Sequence, residues 1–117
     1  MPDHNATVAM MKSGIRAFAT VRGWEPYHSP KNLVMALASE VGELCDLFRW
    51  LTEEQSRLAP SEPVQREAIA DELADVANII FLLSDHMGID LCDAIEVKMR
   101  KNAIKYPPPG EPADGTR

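Results

Sequence analysis

Apolar positions recur at helical spacing along most of this chain, and no stretch alternates apolar and polar residues as a half-buried strand would. Four long amphipathic segments stand out. The first runs from about Thr7 to Arg22, with Val8, Met11, Ile15 and Phe18 on its apolar face and Gly23 as its stop. Ser29 as N-cap and Pro30 at the first helical position open the second, which continues to about Leu51. The third runs from about Val64 to Met87 and is closed by Gly88. Asp90 caps the fourth, which reaches about Lys105. The loop Trp24–Ser29 joins the first two, and a polar connection with two prolines, Thr52–Pro63, joins the second to the third. This pattern predicts an all-α fold, a four-helix bundle-like module over residues 7–106. A short tail, 1–6, precedes it, and a proline-rich tail, 107–117, is expected to be disordered.

Against that pattern, certain acids fall on the wrong face. On a wheel at 100° per residue, Leu33, Leu37, Leu44, Leu47 and Leu51 all lie within about 60° of Glu40, and Glu43 lies at the edge of the same arc. Downstream, Ile69, Val76, Ile79 and Leu83 lie within about 60° of Glu72, with Asp75 at the edge. Asp46, Glu67, Asp71 and Asp85 point away from these stripes. The chain thus carries E-x-x-E on one helix and E-x-x-D on another, each aimed at the interior. A buried ionised carboxylate costs several kcal/mol even after relaxation. Converging carboxylates also raise one another's pKa. A positive partner is required.

A divalent cation meets the requirement better than the protein's own cations. Lys98, Asn102 and Lys105 continue the line of Leu91, Ala94 and Ile95 on the fourth helix, but two lysines do not balance Glu40, Glu43, Glu72 and Asp75. Ligands that are all carboxylate oxygens suit Mg²⁺ or Mn²⁺ rather than zinc. Di-iron bundles need Glu-x-x-His on their helices. The one such spacing here, Glu25–His28, contains Pro26 and lies in a loop. Carboxylate-held Mg²⁺ keeps positions open for substrate phosphates. Lys98 and Lys105 could then hold phosphate oxygens, with Asn102 beside them; their place on the inward line favours this over a solvated helix end that merely suits the macrodipole. Trp24 and Trp50 could stack a nucleobase if they met across a helix or subunit boundary. From spacing alone, each tryptophan reads more simply as half-buried core, and His28 as a loop hydrogen-bonder.

Net charge and cysteine usage narrow the partners. The net charge of −6 and pI near 5.0 argue against a grip on polymeric nucleic acid. No segment has the apolar length of a membrane span, and the start lacks the basic-then-apolar pattern of a signal peptide. Cys45 and Cys92 match no metal spacing and read as reduced core thiols, which suits a cytoplasmic protein. The third helix carries a second stripe of small and apolar residues, Ala70, Ala74, Ala77 and Phe81. A helix apolar on both sides is usually buried on both, which points to an oligomer. The helix propensity of alanine explains the stripe equally well.

The stretches "SEVGELCDLFRW", "EAIADELADVANIIFLLSDHMGIDL" and "KMRKNAIKYP" resemble the MazG-like, all-α nucleoside triphosphate pyrophosphohydrolases. Through "FATVRGWEPYHSPKNLVMAL" the chain looks most like the dCTP pyrophosphatase subgroup. The resemblance covers about Ile15 to Pro107. It implies Mg²⁺ held by Glu40, Glu43, Glu72 and Asp75 and hydrolysis of a (deoxy)nucleoside triphosphate to the monophosphate and pyrophosphate. It also implies a base flanked by Trp24 and Trp50 with His28 nearby, assembly as a homodimer or homotetramer, and a role in clearing surplus or noncanonical nucleotides. Glu43 is the candidate proton acceptor for the attacking water, and Lys98, Asn102 and Lys105 the candidate phosphate-binding group. Two positions depart from the subgroup: Ile15 and Ile79 stand where it carries a histidine and a tyrosine. That loss points to a modified pyrimidine as readily as to dCTP. A pyrophosphohydrolase for another base, such as dUTP, and a non-enzymatic acidic helical interaction module are the competing readings.

Overall fold

The computed structural model describes residues 1–110, which are helical with no strand among them. The helices are α1 (Val8–Val21), α2 (Pro30–Phe48), α3 (Glu53–Leu58), α4 (Pro63–His86) and α5 (Leu91–Lys105), with single 3₁₀ turns at Asp3–Asn5, Glu25–Tyr27 and Ala59–Ser61. Local chemistry sets most of the ends. The hydroxyls of Thr7 and Ser29 accept from the backbone N–H of Met10 and Asn32, each at 3.1 Å. Asp90 accepts from Asp93 N at 2.9 Å. Pro30 and Pro63 occupy the first positions of α2 and α4. Gly23 and Gly88 follow α1 and α4 with φ of +65° and +64°, a left-handed conformation that costs glycine little.

The helix count is one more than the sequence pattern predicts. The Thr52–Pro63 connection is not a plain loop: Thr52 and Gln55 form a reciprocal capping box that starts α3. Ala59 behind it is buried, and the 3₁₀ turn packs on α4. This signal is a four-residue motif, too short to register as amphipathic periodicity. Of the proline-rich tail, residues 111–117 lie outside the described residues, so the expectation of disorder there is not addressed.

The main packing is α2 against α4, with α1 laid on α4. Cavity walls shared by Leu33 with Leu82 and by Leu47 with Ala68 show that α2 and α4 run antiparallel. Leu33 at 3% exposure is the largest well-buried side chain of this interface. Arg16 ties α1 to the end of α4 with a two-pronged ion pair to Asp85, at 2.6 and 2.8 Å, and Lys12 donates to Ile89 O at 2.8 Å. The guanidinium holds the Asp85 carboxyl below the usual carboxylate range.

α5 makes only sparse contacts with the other helices. The expected buried stripe on it is not buried: Ile95 is 51% exposed, Ala94 is exposed too, and Leu91 is only half-buried. Cys45 and Cys92, expected in the core, are both exposed, because one lies on the outward face of α2 and the other in the first turn of α5. The radius of gyration, 17.8 Å, exceeds the ~13 Å typical of a folded domain this long.

Candidate active site

The antiparallel pairing of α2 and α4 sets the register of the acids. Glu40 faces Glu72, and oxygens of Glu40, Glu43 and Glu72 lie within 4.8 Å of one another. Asp75 lies beside this group: it lines the adjoining cavity with Glu40, and its charge acts on both Glu40 and Glu72. Burial is the chief reason that the Glu40 carboxyl is pushed up to about 7. Hydrogen bonding to Glu72 and Glu43 and the charges of Glu43 and Asp75 add to it. Glu72 is also raised, mainly by burial, although its hydrogen bond with Glu40 works the other way. Among the described residues no lysine or arginine contributes to either shift.

One oxygen each of Glu40 and Glu72 (Oε2) is buried without a hydrogen-bond partner. Unpaired buried carboxylate oxygens of this kind are costly. All-oxygen donors at this spacing fit a hard divalent cation such as Mg²⁺ or Mn²⁺. The site therefore fits such an ion, with Glu40, Glu43 and Glu72 as the tight group and Asp75 at its margin.

A cavity of about 480 Å³ opens from the acids towards the N-terminal end of α2. Glu40 and Asp75 stand at one end. Ile15, Leu33, Ala36, Asn78, Ile79 and Leu82 form the walls, and Phe18, Trp24, Tyr27 and His28 close the other end. Trp24, 45% exposed, packs edge-on to Phe18 at 5.7 Å and to His28 at 6.4 Å. His28 in turn meets His86 at 6.2 Å, and its Nδ1 is buried without a partner. An anionic, metal-suited end and an aromatic end in one cleft can hold a ligand with a phosphate group at one side and a flat ring at the other.

Several sequence-derived candidates lie outside this cleft. Trp50 is 87% exposed beyond the far end of α2, with Arg49 near its ring at 5.8 Å, so the two tryptophans do not meet within one chain. Lys98, Asn102 and Lys105 are on α5 and line none of the cavity. The expectation that they continue a buried line toward the acids fails in the single chain, because α5 does not pack on α2 or α4 there. Conversely, sequence reading passed over Phe18 as core and did not single out Asn32, Asn78 or His86. Asn78 carried a usable signal, since it follows Asp75 by three residues and shares its face of α4.

Residues 36–113 match the sequence pattern of the MazG-like family. The chain belongs to the MazG-like family. Its curated relatives include dCTP pyrophosphatase 1 of cattle, 39% identical over 90 residues, and that of human, 40% identical over 90 residues. In both cases the alignment takes in 77% of this chain and 53% of the relative, so the chain spans about half the length of the curated relatives it matches. A pyrophosphatase from Archaeoglobus fulgidus, known from its crystal structure, shares the fold with a TM-score of 0.81 and 30% identity, over 92% of this chain and 99% of that one. The all-α architecture is thus that of a MazG-like protein. Among the described residues no helix is long and apolar enough to cross a membrane.

Proposed function

We propose that this MazG-like chain hydrolyses a pyrimidine deoxynucleoside triphosphate, dCTP or a modified relative, to the monophosphate and pyrophosphate, in a divalent-metal-dependent reaction. The observation that carries the reading is the adjacency of the Glu40 and Glu72 carboxyls, each with one buried oxygen that lacks a hydrogen-bond partner, to a cleft with an aromatic end. The names of the curated relatives and of the archaeal neighbour point the same way. Glu40, Glu43, Glu72 and Asp75 would hold Mg²⁺ or Mn²⁺. Such an ion supplies positive charge against the phosphate oxygens and the departing pyrophosphate.

The chain's own groups divide the remaining work. Trp24 and Phe18 pack the base, and His28 offers its free Nδ1 at the base edge. Ile15 and Ile79 give the cleft apolar walls, which suit a substituent on the pyrimidine ring. Glu43, the most open of the close acids, takes the proton of the attacking water. The new bond forms between that water oxygen and the α-phosphorus; the bond from the α-phosphorus to the bridging oxygen breaks, and pyrophosphate leaves.

Assembly completes the site in this reading. Among the described residues no lysine or arginine acts on the acids, and α5 is left with exposed Ile95, Met99 and Ile104. A second copy would cover those apolar positions. It would also bring Lys98, Asn102 and Lys105 of a neighbouring α5 toward the phosphates, in a homodimer or homotetramer.

A panel of dNTPs and NTPs, assayed with Mg²⁺ and with EDTA and scored for pyrophosphate against orthophosphate, tests the reading. Metal-dependent pyrophosphate release that favours pyrimidine deoxynucleotides is expected. Orthophosphate alone, or no turnover, would reject it, and the non-enzymatic helical module would take its place.

A further inference from the structure

The cleft is layered along its two long helices. α4 advances ~1.5 Å per residue, so Asn78 stands ~4.5 Å beyond Asp75 and Leu82 ~10 Å beyond it. On the antiparallel α2, Ala36 lies one turn from Glu40, and Asn32 and Leu33 lie two turns from it. All these residues line the same cavity. The acids occupy the first layer, and the aromatic group closes the last.

The middle layer is walled by small Ala36, apolar Ile79 and a single amide, Asn78. Asn32, a layer higher, already donates its amide to Tyr27 O at 3.0 Å. Asn78 is exposed on the open side of the cavity that it lines, and its amide makes no side-chain hydrogen bond among the described residues. It offers both a donor and an acceptor to whatever fills that layer.

In a nucleoside 5′-triphosphate, one ester oxygen and one methylene separate the α-phosphate from the sugar ring, a span of about one helical turn, ~5 Å. With phosphates at the acids and base at Trp24, the sugar falls at the middle layer. We infer that Asn78 reads the sugar: its side-chain amide hydrogen-bonds the 3′-hydroxyl of the deoxyribose. The inference rests on the proposed hydrolase activity and adds to it a substrate-contacting residue and a requirement for the 3′-hydroxyl.

The test compares kcat/KM for the dNTP cleaved fastest in the panel with that for its 2′,3′-dideoxy analogue, which differs only in lacking the 3′-hydroxyl. The unaltered chain should favour the dNTP by ~3- to 10-fold, the effect of one hydrogen bond between neutral groups. In Asn78→Leu the ratio should fall to near 1, and Asn78→Gln should restore part of it. A packing defect would lower both nucleotides by one factor and leave the ratio intact, so an intact ratio in Asn78→Leu overturns the assignment. Equal rates on the two nucleotides in the unaltered chain overturn it as well, while leaving the hydrolase reading standing. Absence of pyrophosphate from every dNTP removes the hydrolase reading and the sugar assignment together.

Discussion

Replacing Glu40 by glutamine should make the metal-free protein more stable at pH 8, although it removes a group from the centre of the site. In the folded chain the Glu40 carboxyl is raised from the usual 4.5 to about 7, chiefly by burial and then by its acidic neighbours. A carboxyl with a raised folded pKa binds its proton more tightly folded than unfolded. Its stabilising effect is full below about pH 4.5 and is lost as pH rises toward 7. A shift of that size corresponds to ~3 kcal/mol. The cleft is open to water, and screening reduces this to ~1–2 kcal/mol. Glutamine keeps the shape and the hydrogen-bonding reach but never ionises. In EDTA at pH 8 and fixed protein concentration, Glu40→Gln should therefore melt ~4–8 °C above the unaltered chain. The two should converge near pH 4.5. Glu67→Gln, an acid on the outward face of α4, serves as the control and should move little. A lower melting temperature for Glu40→Gln at pH 8, or a melting temperature of the unaltered chain that does not fall between pH 5 and 8, would refute the electrostatic argument.

Three further outcomes follow from the same geometry. Mg²⁺ at a hundredfold excess over its dissociation constant should stabilise the unaltered chain by ~2.7 kcal/mol, read as a rise in melting temperature, and this gain should be largely lost in Glu72→Gln. Trp24→Ala should raise KM for the preferred nucleotide by ~5- to 100-fold, the effect of losing one base-stacking ring, with a smaller change in kcat; steady-state kinetics measures the split. Asp85→Asn breaks the bridge to Arg16, which holds the Asp85 carboxyl below its usual range. That contribution is present above the usual carboxylate pKa of 3.8 and disappears as pH falls through the depressed value, so the variant should melt lower at pH 7 and match the unaltered chain in strong acid.

Much of this architecture is written in short-range chemistry. Thr7, Ser29 and Asp90 cap their helices, Pro30 and Pro63 start theirs, and Gly23 and Gly88 end theirs, because each acts only on backbone within a turn of itself. Helical periodicity likewise put Glu40, Glu43, Glu72 and Asp75 on apolar arcs without any knowledge of the partner helix. Capping alone also defines α3, whose four-residue signal in Thr52–Gln55 was legible but too short to be read from apolar spacing.

Contacts between distant residues had to come from the fold. Which turn of α2 faces which turn of α4 depends on how side chains interlock, and that register brings Glu40 to Glu72 and leaves Asp75 at the margin. The same packing folds the Trp24–His28 loop over the cleft, sets His28 against His86 and puts exposed Asn78 on the cavity wall. It leaves Trp50, Cys45 and Cys92 outside. The lysines of α5 line no part of the cleft, because among the described residues that helix makes only sparse contacts. Sequence alone fixed which residues share a helix face, since that is a matter of one period. Tertiary structure decided which faces meet, since that depends on the shapes of both.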